Sequence, residues 1–171
     1  MTQHPKLKAS LTYTYSETVG DRLNQRILVE LQQNPRLSMS ELGRRVGLSS
    51  PATTERVRRL EESGVIRGYR LDIDPAALGL PMAAYIRVKP NAGQLTKVAD
   101  LAREIPEVVE CDRVTGEDCF VIKVHLPVID QLDRVLDAFL AYGTTTTSLI
   151  QSSPVPRRDL PITIPPPRSR T

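Results

Sequence analysis

Residues 38–62 decide the fold of the N-terminal half of this chain, and they read SMSELGRRVGLSSPATTERVRRLEE. Ser38 and Glu41 have the S-x-x-E spacing of a capping box, which predicts a helix that begins here. Gly47 suits the left-handed residue that follows a helix, so this helix is predicted to end at about Val46.

A second helix is predicted after a short turn. Ser50 is predicted as its N-cap, with Pro51 at the first helical position, and Gly64 ends it. Another helix is predicted ahead of the pair, over residues 21–33, because leucine and isoleucine recur there every four residues. Two capped helices joined by a turn of about four residues are the helix-turn-helix pattern.

The second helix of the pair has an apolar side and a polar side. Thr53, Val57 and Leu60 share one face at about 100° per residue, and we expect this face to pack on the preceding helices. The opposite side is free to enter the major groove of DNA. Arg56 lies on the flank, where it suits DNA contact and a role in holding the fold equally well. Six residues of this helix are predicted to contact DNA, and four arginines elsewhere to contact phosphate: Ser50, Pro51, Thr54, Glu55, Arg58 and Arg59, then Arg44, Arg45, Arg67 and Arg70.

The segment after the helices is β-prone. Residues 65–66 and 69–73 predict a two-stranded wing with Gly68 between the strands, and Asp74-Pro75 ends it. Residues 76–82 then form a hinge.

The C-terminal half alternates strands and helices. Strands are predicted over residues 83–89, 108–115, 119–126 and 144–151, with one helix after the first strand and one after the third. The order βαββαβ predicts a ferredoxin-like sheet, so the whole chain is predicted to be α+β. Helices cover one face of such a sheet. Because Cys119 and Val121 are on the other side of an apolar strand, we expect the uncovered face to meet another subunit.

Charge separates the two halves. The 171 residues have a net charge of +3, but residues 21–75 carry +2 and residues 76–151 carry −3. Between Arg44 and Arg70 the net charge is +4. This asymmetry predicts that only the first half meets a polyanion.

No secretion signal, membrane segment or catalytic pattern is apparent. The N-terminus lacks the apolar segment of a signal peptide, and no apolar run approaches the roughly 18 residues of a membrane helix. Cys111 and Cys119 have no CxxC spacing and lie in apolar runs, so we expect buried thiols in a reduced, cytoplasmic setting. The two histidines, His4 and His125, have no metal-ligand spacing with other residues. No catalytic residue, metal site or cofactor is predicted, and the chain is not expected to be an enzyme.

The stretch from Leu23 to Gly79 resembles the leucine-responsive regulator and asparagine-activator (Lrp/AsnC) family. The matching segments are Ile27-Leu28 with Leu31, Arg36-Leu37-Ser38, Glu41-Leu42-Gly43, Val46-Gly47-Leu48-Ser49, Arg56-Val57-Arg58-Arg59-Leu60-Glu61, Gly64-Val65-Ile66, Gly68-Tyr69, and Asp74-Pro75 before Leu78-Gly79. Val114-Thr115-Gly116, Ile122-Lys123-Val124 and residues 144–150 are similar to that family's amino-acid-sensing domain. The resemblance covers about residues 21–162.

The resemblance implies a transcriptional regulator that binds double-stranded DNA. It also implies a homo-dimer or a ring of dimers, up to an octamer, and a small-molecule effector, an amino acid above all. The family's sensing loop commonly reads Gly-Asp-aromatic-Asp, whereas this chain has Gly116-Glu117-Asp118-Cys119. Helix one has Asn24 where the family usually has Asp. The implied effector-binding residues are Thr115, Gly116, Glu117, Asp118, Thr146 and Ser148.

These inferences divide the chain into five predicted regions. They are an N-terminal extension (1–20), a winged helix-turn-helix domain (21–75), a hinge (76–82), a ferredoxin-like effector-sensing and oligomerisation domain (83–153), and a proline-rich tail (154–171).

Two other functions fit the residues alone. One is an architectural protein that bends DNA with little sequence choice. The other is an enzyme or a small-molecule-binding module that uses the ferredoxin-like half, while the helical half contacts proteins. Likewise, the turn at residues 115–118 fits a plain hairpin, and residues 144–148 fit an ordinary exposed strand surface.

Overall fold

The computed structural model describes residues 20–162. Contacts divide these residues into two compact units, one made of residues 20–70 with 157–162 and the other of residues 71–156. Residues 1–19 of the predicted extension and 163–171 of the predicted tail lie outside the described residues. Within residues 20–162, no helix is long and apolar enough to cross a membrane.

The first unit contains three helices, α1 (Arg22–Gln33), α2 (Met39–Val46) and α3 (Ser50–Glu62). Helix α1 begins at Asp21, whose side chain accepts a hydrogen bond from the backbone N–H of Leu23 at 2.7 Å. Helix α2 begins at Ser38, whose hydroxyl accepts from the backbone N–H of Glu41, and ends at Gly47 in the left-handed conformation. Both boundaries of α2 are therefore as predicted.

The N-cap of α3 is Ser49, and the prediction of Ser50 is wrong by one residue. The Ser49 hydroxyl accepts from the backbone N–H of Ala52, and its carbonyl accepts from the N–H of Thr53. The helical ladder therefore starts one residue earlier than expected. Two consecutive serines precede the proline, and local sequence does not tell which one caps.

A small apolar core holds the three helices together. Its buried side chains are Ile27, Leu31, Leu42, Val46, Val57 and Leu60. The turn between α2 and α3 approaches α2 closely: a Cβ on Gly43 would lie 2.7 Å from both the carbonyl oxygen of Leu48 and the hydroxyl of Thr53. The close contact therefore requires glycine at position 43.

The two strands predicted for the wing are absent from the described chain, and residues 67–74 run without regular structure. The backbone N–H of Ile66 donates to the carbonyl of Leu60 at 2.9 Å, so this part closes the end of α3. Farther on, Leu71 is 82% exposed and has no partner strand within residues 20–162. A 3₁₀-helix over Pro75–Leu78, capped by Asp74, begins where the hinge was expected.

After the 3₁₀-helix, the second unit has six further elements. They are β1 (Met82–Pro90), α4 (Leu95–Glu104), β2 (Val108–Arg113), β3 (Phe120–Leu126), α5 (Asp130–Leu140) and β4 (Gly143–Leu149). The sheet has the order β2-β3-β1-β4, and every neighbouring pair is antiparallel. This is the ferredoxin-like arrangement that the sequence predicted.

One face of this sheet is buried under α4 and α5. Its core includes Ile86 and Val88 of β1, Ile122 and Val124 of β3, and Phe139 of α5. The other face, called here the open face, is mainly polar within one chain. Its residues include Ala83, Tyr85, Arg87, Lys89, Glu110, Asp112, Val121, Lys123, His125, Thr144, Thr146 and Ser148.

The expectation that both faces of the sheet carry apolar groups holds through Val121, whereas the expectation of two buried thiols is wrong. Strand alternation points Phe120, Ile122 and Val124 toward the helices, which leaves Val121 as the apolar member of β3 on the open face. Cys111 is exposed and Cys119 half-buried, because β2 is an edge strand and Cys119 precedes β3.

Candidate nucleic-acid interface and ligand turn

The polar side of α3 carries a network of ion pairs around one carboxylate. Arg58 donates to Glu55 through Nε at 2.9 Å and Nη2 at 2.7 Å. Arg59 donates through Nε to the same carboxylate at 2.8 Å. Arg58 also pairs with Glu62 one turn later. Glu55 thus holds two guanidinium groups on the side of α3 that faces away from the core.

These contacts set the charge states of the group. The hydrogen bonds from Arg58 and Arg59 lower the pKa of Glu55 to about 2, so its carboxylate stays ionised well into the acidic range. Both arginines remain accessible, with side chains 52% and 69% exposed. Exposed ion pairs of this kind are weak, so DNA can displace them.

A second network lies on α2. Glu41 accepts hydrogen bonds from Arg44 at 2.7 and 2.8 Å and from Arg45 at 2.9 Å, and these lower its pKa to about 2. Arg45 also pairs with Glu30 of α1 at 3.0 Å. The predicted phosphate contacts Arg44 and Arg45 therefore lie exposed in the last turn of α2.

Arg56 points to the fold rather than to the polar side. Its Nη1 donates to Asp21 Oδ2 at 2.6 Å and to Asn24 Oδ1 at 2.8 Å, and Asn24 is buried. Of the two roles that the sequence left open for Arg56, this geometry favours the structural one.

Arg26 has a structural role that the sequence analysis missed. Its guanidinium donates to the carbonyl oxygens of Val46 at 3.2 Å and Arg45 at 2.7 Å. It thereby satisfies carbonyl groups at the end of α2, which have no partner within the helix. The sequence carries only a weak signal for this contact, since the residues are about twenty positions apart.

The remaining predicted DNA contacts are placed as follows. Ser50 and Pro51 form the first turn of α3, and the hydroxyl of Thr54 donates to the carbonyl of Ser50 at 2.9 Å. Arg67 and Arg70 are exposed on the segment after α3. Tyr69 lies between these arginines and donates from its hydroxyl to Glu61 at 2.9 Å, which ties this segment back to α3.

The candidate ligand turn, residues 115–118, joins β2 to β3. The backbone N–H of Val114 donates to the carbonyl of Cys119 at 2.9 Å and closes it. Gly116 has a φ of +117°, and a Cβ there would meet nothing within 4 Å. The backbone conformation, and not crowding, therefore demands glycine, and the space beside it is open.

Both acids of the turn are paired with cations of β1. Lys89 donates to Glu117 at 3.0 Å, and the Arg87 guanidinium lies 3.9 Å from Asp118. Lys89 and Arg87 alternate along β1 on the open face, so both pairs lie at one side of the sheet.

The predicted hydroxyl residues lie on the same face. Thr146 is opposite Arg87, and Ser148 is opposite Tyr85, in the pairing of β4 with β1. Both are exposed. Arg87 therefore lies between the two parts of the predicted effector set, with Asp118 on one side and Thr146 on the other.

Comparison with known proteins agrees with this architecture. Residues 21–67 match a family model described as winged helix-turn-helix DNA-binding. Residues 83–160 match the Lrp/AsnC ligand binding domain. The chain belongs to the Lrp/AsnC family of transcriptional regulators.

Relatives cover most of the chain. The HTH-type transcriptional regulator LrpC of Bacillus subtilis is 32% identical over 77% of this chain and 92% of its own. An uncharacterised regulator of the same organism, YezC, is 40% identical over 78% and 94%. The proline dehydrogenase transcriptional activator of Rhodobacter capsulatus is 33% identical over 82% and 96%.

Solved Lrp/AsnC structures share the fold. The structure of B. subtilis LrpC has a TM-score of 0.74 at 32% identity and covers 78% of this chain and 95% of its own. The feast or famine regulatory protein of M. tuberculosis, complexed with L-methionine, has a TM-score of 0.77 at 30% identity, over 84% and 99%.

Proposed function

We propose that this Lrp/AsnC regulator binds DNA through the polar side of α3, and that an amino acid bound near the 115–118 turn controls this binding. The observation that carries the first part is the pair of exposed guanidinium groups, Arg58 and Arg59, on the second helix of the helix-turn-helix. Their planar donors fit the O6 and N7 acceptors of guanine.

The other predicted DNA contacts divide by position. Ser50, Pro51 and Thr54 lie in the first turns of α3, where a recognition helix approaches base edges. Arg44 and Arg45, with Arg67 and Arg70, supply charge for phosphate contacts that add affinity without selecting sequence. In this division α3 determines the operator, while α2 and the segment after α3 determine the register on the duplex.

We further propose that the chain works as a homo-dimer, or as a ring of dimers, joined through the open face of the sheet. Strand register aligns Asp112, Val121, Arg87 and Thr146 in one row across the four strands. A second copy related by a two-fold axis can set the acid of one row against the arginine of the other. Native mass spectrometry tests this, and Val121→Asp is expected to increase the monomer fraction.

The effector proposal rests on the turn and on relatives. Two solved relatives, from Neisseria meningitidis and M. tuberculosis, are complexes with L-Met and L-methionine. In this chain, backbone groups at Thr115 and Gly116 suit a carboxylate, and Glu117 or Asp118 suits an ammonium group. Thr146 and Ser148 add hydroxyl donors on the same face.

Selection from random DNA tests the DNA-binding proposal. We expect the protein to enrich a short motif with two half-sites about one helical turn apart, and to bind it more tightly than random duplex at equal salt. Enrichment of bendable DNA without a motif would favour the architectural alternative. Absence of salt-sensitive DNA binding would favour the small-molecule module. The proposed function requires access to chromosomal DNA. We therefore predict a cytoplasmic location.

A further inference from the structure

Glu55, one of the predicted DNA contacts, places a negative charge at the centre of the surface proposed to meet a polyanion. Its carboxylate lies on the polar side of α3, is 42% exposed, and is ionised at neutral pH as an ordinary glutamate is. Facing phosphates, or base edges that carry only acceptors, an ionised carboxylate is repelled. Glu55 therefore either weakens DNA binding or accepts a hydrogen bond from a specific donor on the DNA.

The hydrogen bonds of Glu55 limit what Arg58 and Arg59 can do. Three of their N–H groups donate to this one carboxylate, at distances between 2.7 and 2.9 Å. Arg58 donates to Glu55 through Nε and Nη2 and to Glu62 through Nη1, so a bidentate contact with a base requires it to release these bonds at least in part. Glu55 is then left with open acceptor positions at the protein–DNA interface, and an ionised acceptor without a donor is unfavourable there.

A G·C pair can satisfy both sides of this exchange. In the major groove, guanine presents two acceptors that suit arginine, and cytosine presents an N4 amino donor that suits a carboxylate. An A·T pair also has a donor, the adenine N6 amino group, but it lacks the paired O6 and N7 acceptors of guanine. Arg58 and Arg59 follow Glu55 by three and four residues and therefore lie beside it on one side of the helix. The carboxylate and the guanidinium groups can then reach neighbouring base edges in the groove.

We propose that Glu55 is a specificity-determining residue: it accepts a hydrogen bond from the N4 amino group of a cytosine in the operator, while Arg58 or Arg59 contacts guanine. At other sequences Glu55 keeps the arginines, and the surface binds weakly. This inference rests on the proposed contact of α3 with DNA and deepens it by naming the base that α3 selects.

The test compares wild type, Glu55→Gln and Glu61→Gln by selection from random duplexes and by titration of the selected operator and a random duplex at equal salt. Glu61→Gln is the matched control, since it removes the same charge from the same helix, and the glutamine oxygen can still accept the hydrogen bond of Tyr69 that ties the following segment to α3. Both substitutions are isosteric and exposed, and circular dichroism checks that each variant is folded.

We expect Glu55→Gln to lose the preference for cytosine at one position of each half-site. The ratio of operator to random affinity should fall by about five- to a hundredfold, the range for one specific base contact. Glu61→Gln should tighten both complexes equally and leave the ratio unchanged. An identical motif and ratio for Glu55→Gln and wild type would overturn the assignment of Glu55 alone. A wild type that selects no motif would overturn the proposed function as well.

Discussion

The Nη1 atom of Arg56 on α3 lies 2.6 Å from Oδ2 of Asp21, the residue that caps α1. The same nitrogen lies 2.8 Å from the Oδ1 of Asn24. One guanidinium therefore links the start of the first helix to the middle of the third. This contact fixes the helix that carries the candidate DNA-binding side chains against the helix beneath it.

Arg56→Ala is expected to lower the free energy of unfolding by about 1 kcal/mol. Charged hydrogen bonds contribute more than this, but the pair is about one-third exposed, and solvent screening reduces it. Urea denaturation measures the change, with Arg36→Ala as an exposed arginine control. A double-mutant cycle with Asp21→Asn should show coupling. Additive effects would contradict the link between α1 and α3.

The stability of the first unit should depend on pH through Asp21. Burial raises the pKa of Asp21, but hydrogen bonds from Arg56 and the backbone of Leu23 outweigh it and hold the pKa below its ordinary value. Because the folded pKa is lower than the unfolded value of about 3.9, the stabilisation is present above that pH and is lost as the pH falls toward the folded pKa.

As the pH falls from 5 to 3, the free energy of unfolding of Asp21→Asn is therefore expected to fall less than that of wild type. Urea denaturation across this range measures the difference. Glu41 and Glu55, whose pKa values are about 2, are present in both proteins, so their acid response cancels in the comparison. Parallel pH profiles for the two proteins would show that the charge of Asp21 does not stabilise the folded state.

Arg58→Ala should weaken binding to the operator without unfolding the protein. If Arg58 makes a bidentate base contact, the loss is about five- to a hundredfold and is greatest for the operator. Arg44→Ala is the comparison, because a phosphate contact lowers operator and random affinity alike and reduces the salt slope by about one. Gel-shift titration at several salt concentrations separates the two. An unchanged affinity for Arg58→Ala would remove it from the DNA surface.

Gly43→Ala should destabilise the helix-turn-helix by roughly 1–3 kcal/mol, as overpacking does in other cores. The added Cβ would lie 2.7 Å from the backbone oxygen of Leu48, so the α2–α3 turn must move. Ser40→Ala on the exposed side of α2 is the control and should change little. Thermal unfolding followed by circular dichroism measures both. Equal melting temperatures would show that the turn relaxes freely.

An amino-acid ligand should bind wild type and fail to bind Gly116→Asp. The φ of +117° at Gly116 strains any other residue, and an added carboxylate would also repel the ligand carboxylate, so Gly116→Ala is the control for strain alone. Isothermal titration with a panel of amino acids, L-methionine included, measures binding. Thr146→Ala should weaken binding less and leaves the turn intact. If wild type binds none of the amino acids in the panel, the turn has a structural role and does not bind an amino-acid ligand.

Local patterns in the sequence predicted most elements of the fold. Ser38 and Gly47 bound α2 because a hydroxyl cap and a left-handed glycine act on the backbone beside them. The sheet order followed from the succession of strands and helices, since βαββαβ chains have few allowed topologies. For the candidate DNA surface, helical periodicity was sufficient to place Arg58 and Arg59 opposite the core.

The misjudged features depend on partners that are distant in sequence. Residues 65–73 have strand propensity, but a strand needs a neighbour, and the described chain offers none there. Cys111 was expected to be buried as part of an apolar run, yet it lies between Glu110 and Asp112 in a strand at the sheet edge and is exposed.

By itself, the sequence determined the order of the three helices and of the elements of the sheet domain, both ends of α2, the side of α3 that faces outward and the family. Only the tertiary structure decided which partner each charged side chain takes: Arg56 with Asp21, Arg26 with the end of α2, and Arg87 between Asp118 and Thr146. The physical reason is one of range. Caps and periodicity act within about one turn, whereas these pairs form only after packing brings separate elements together.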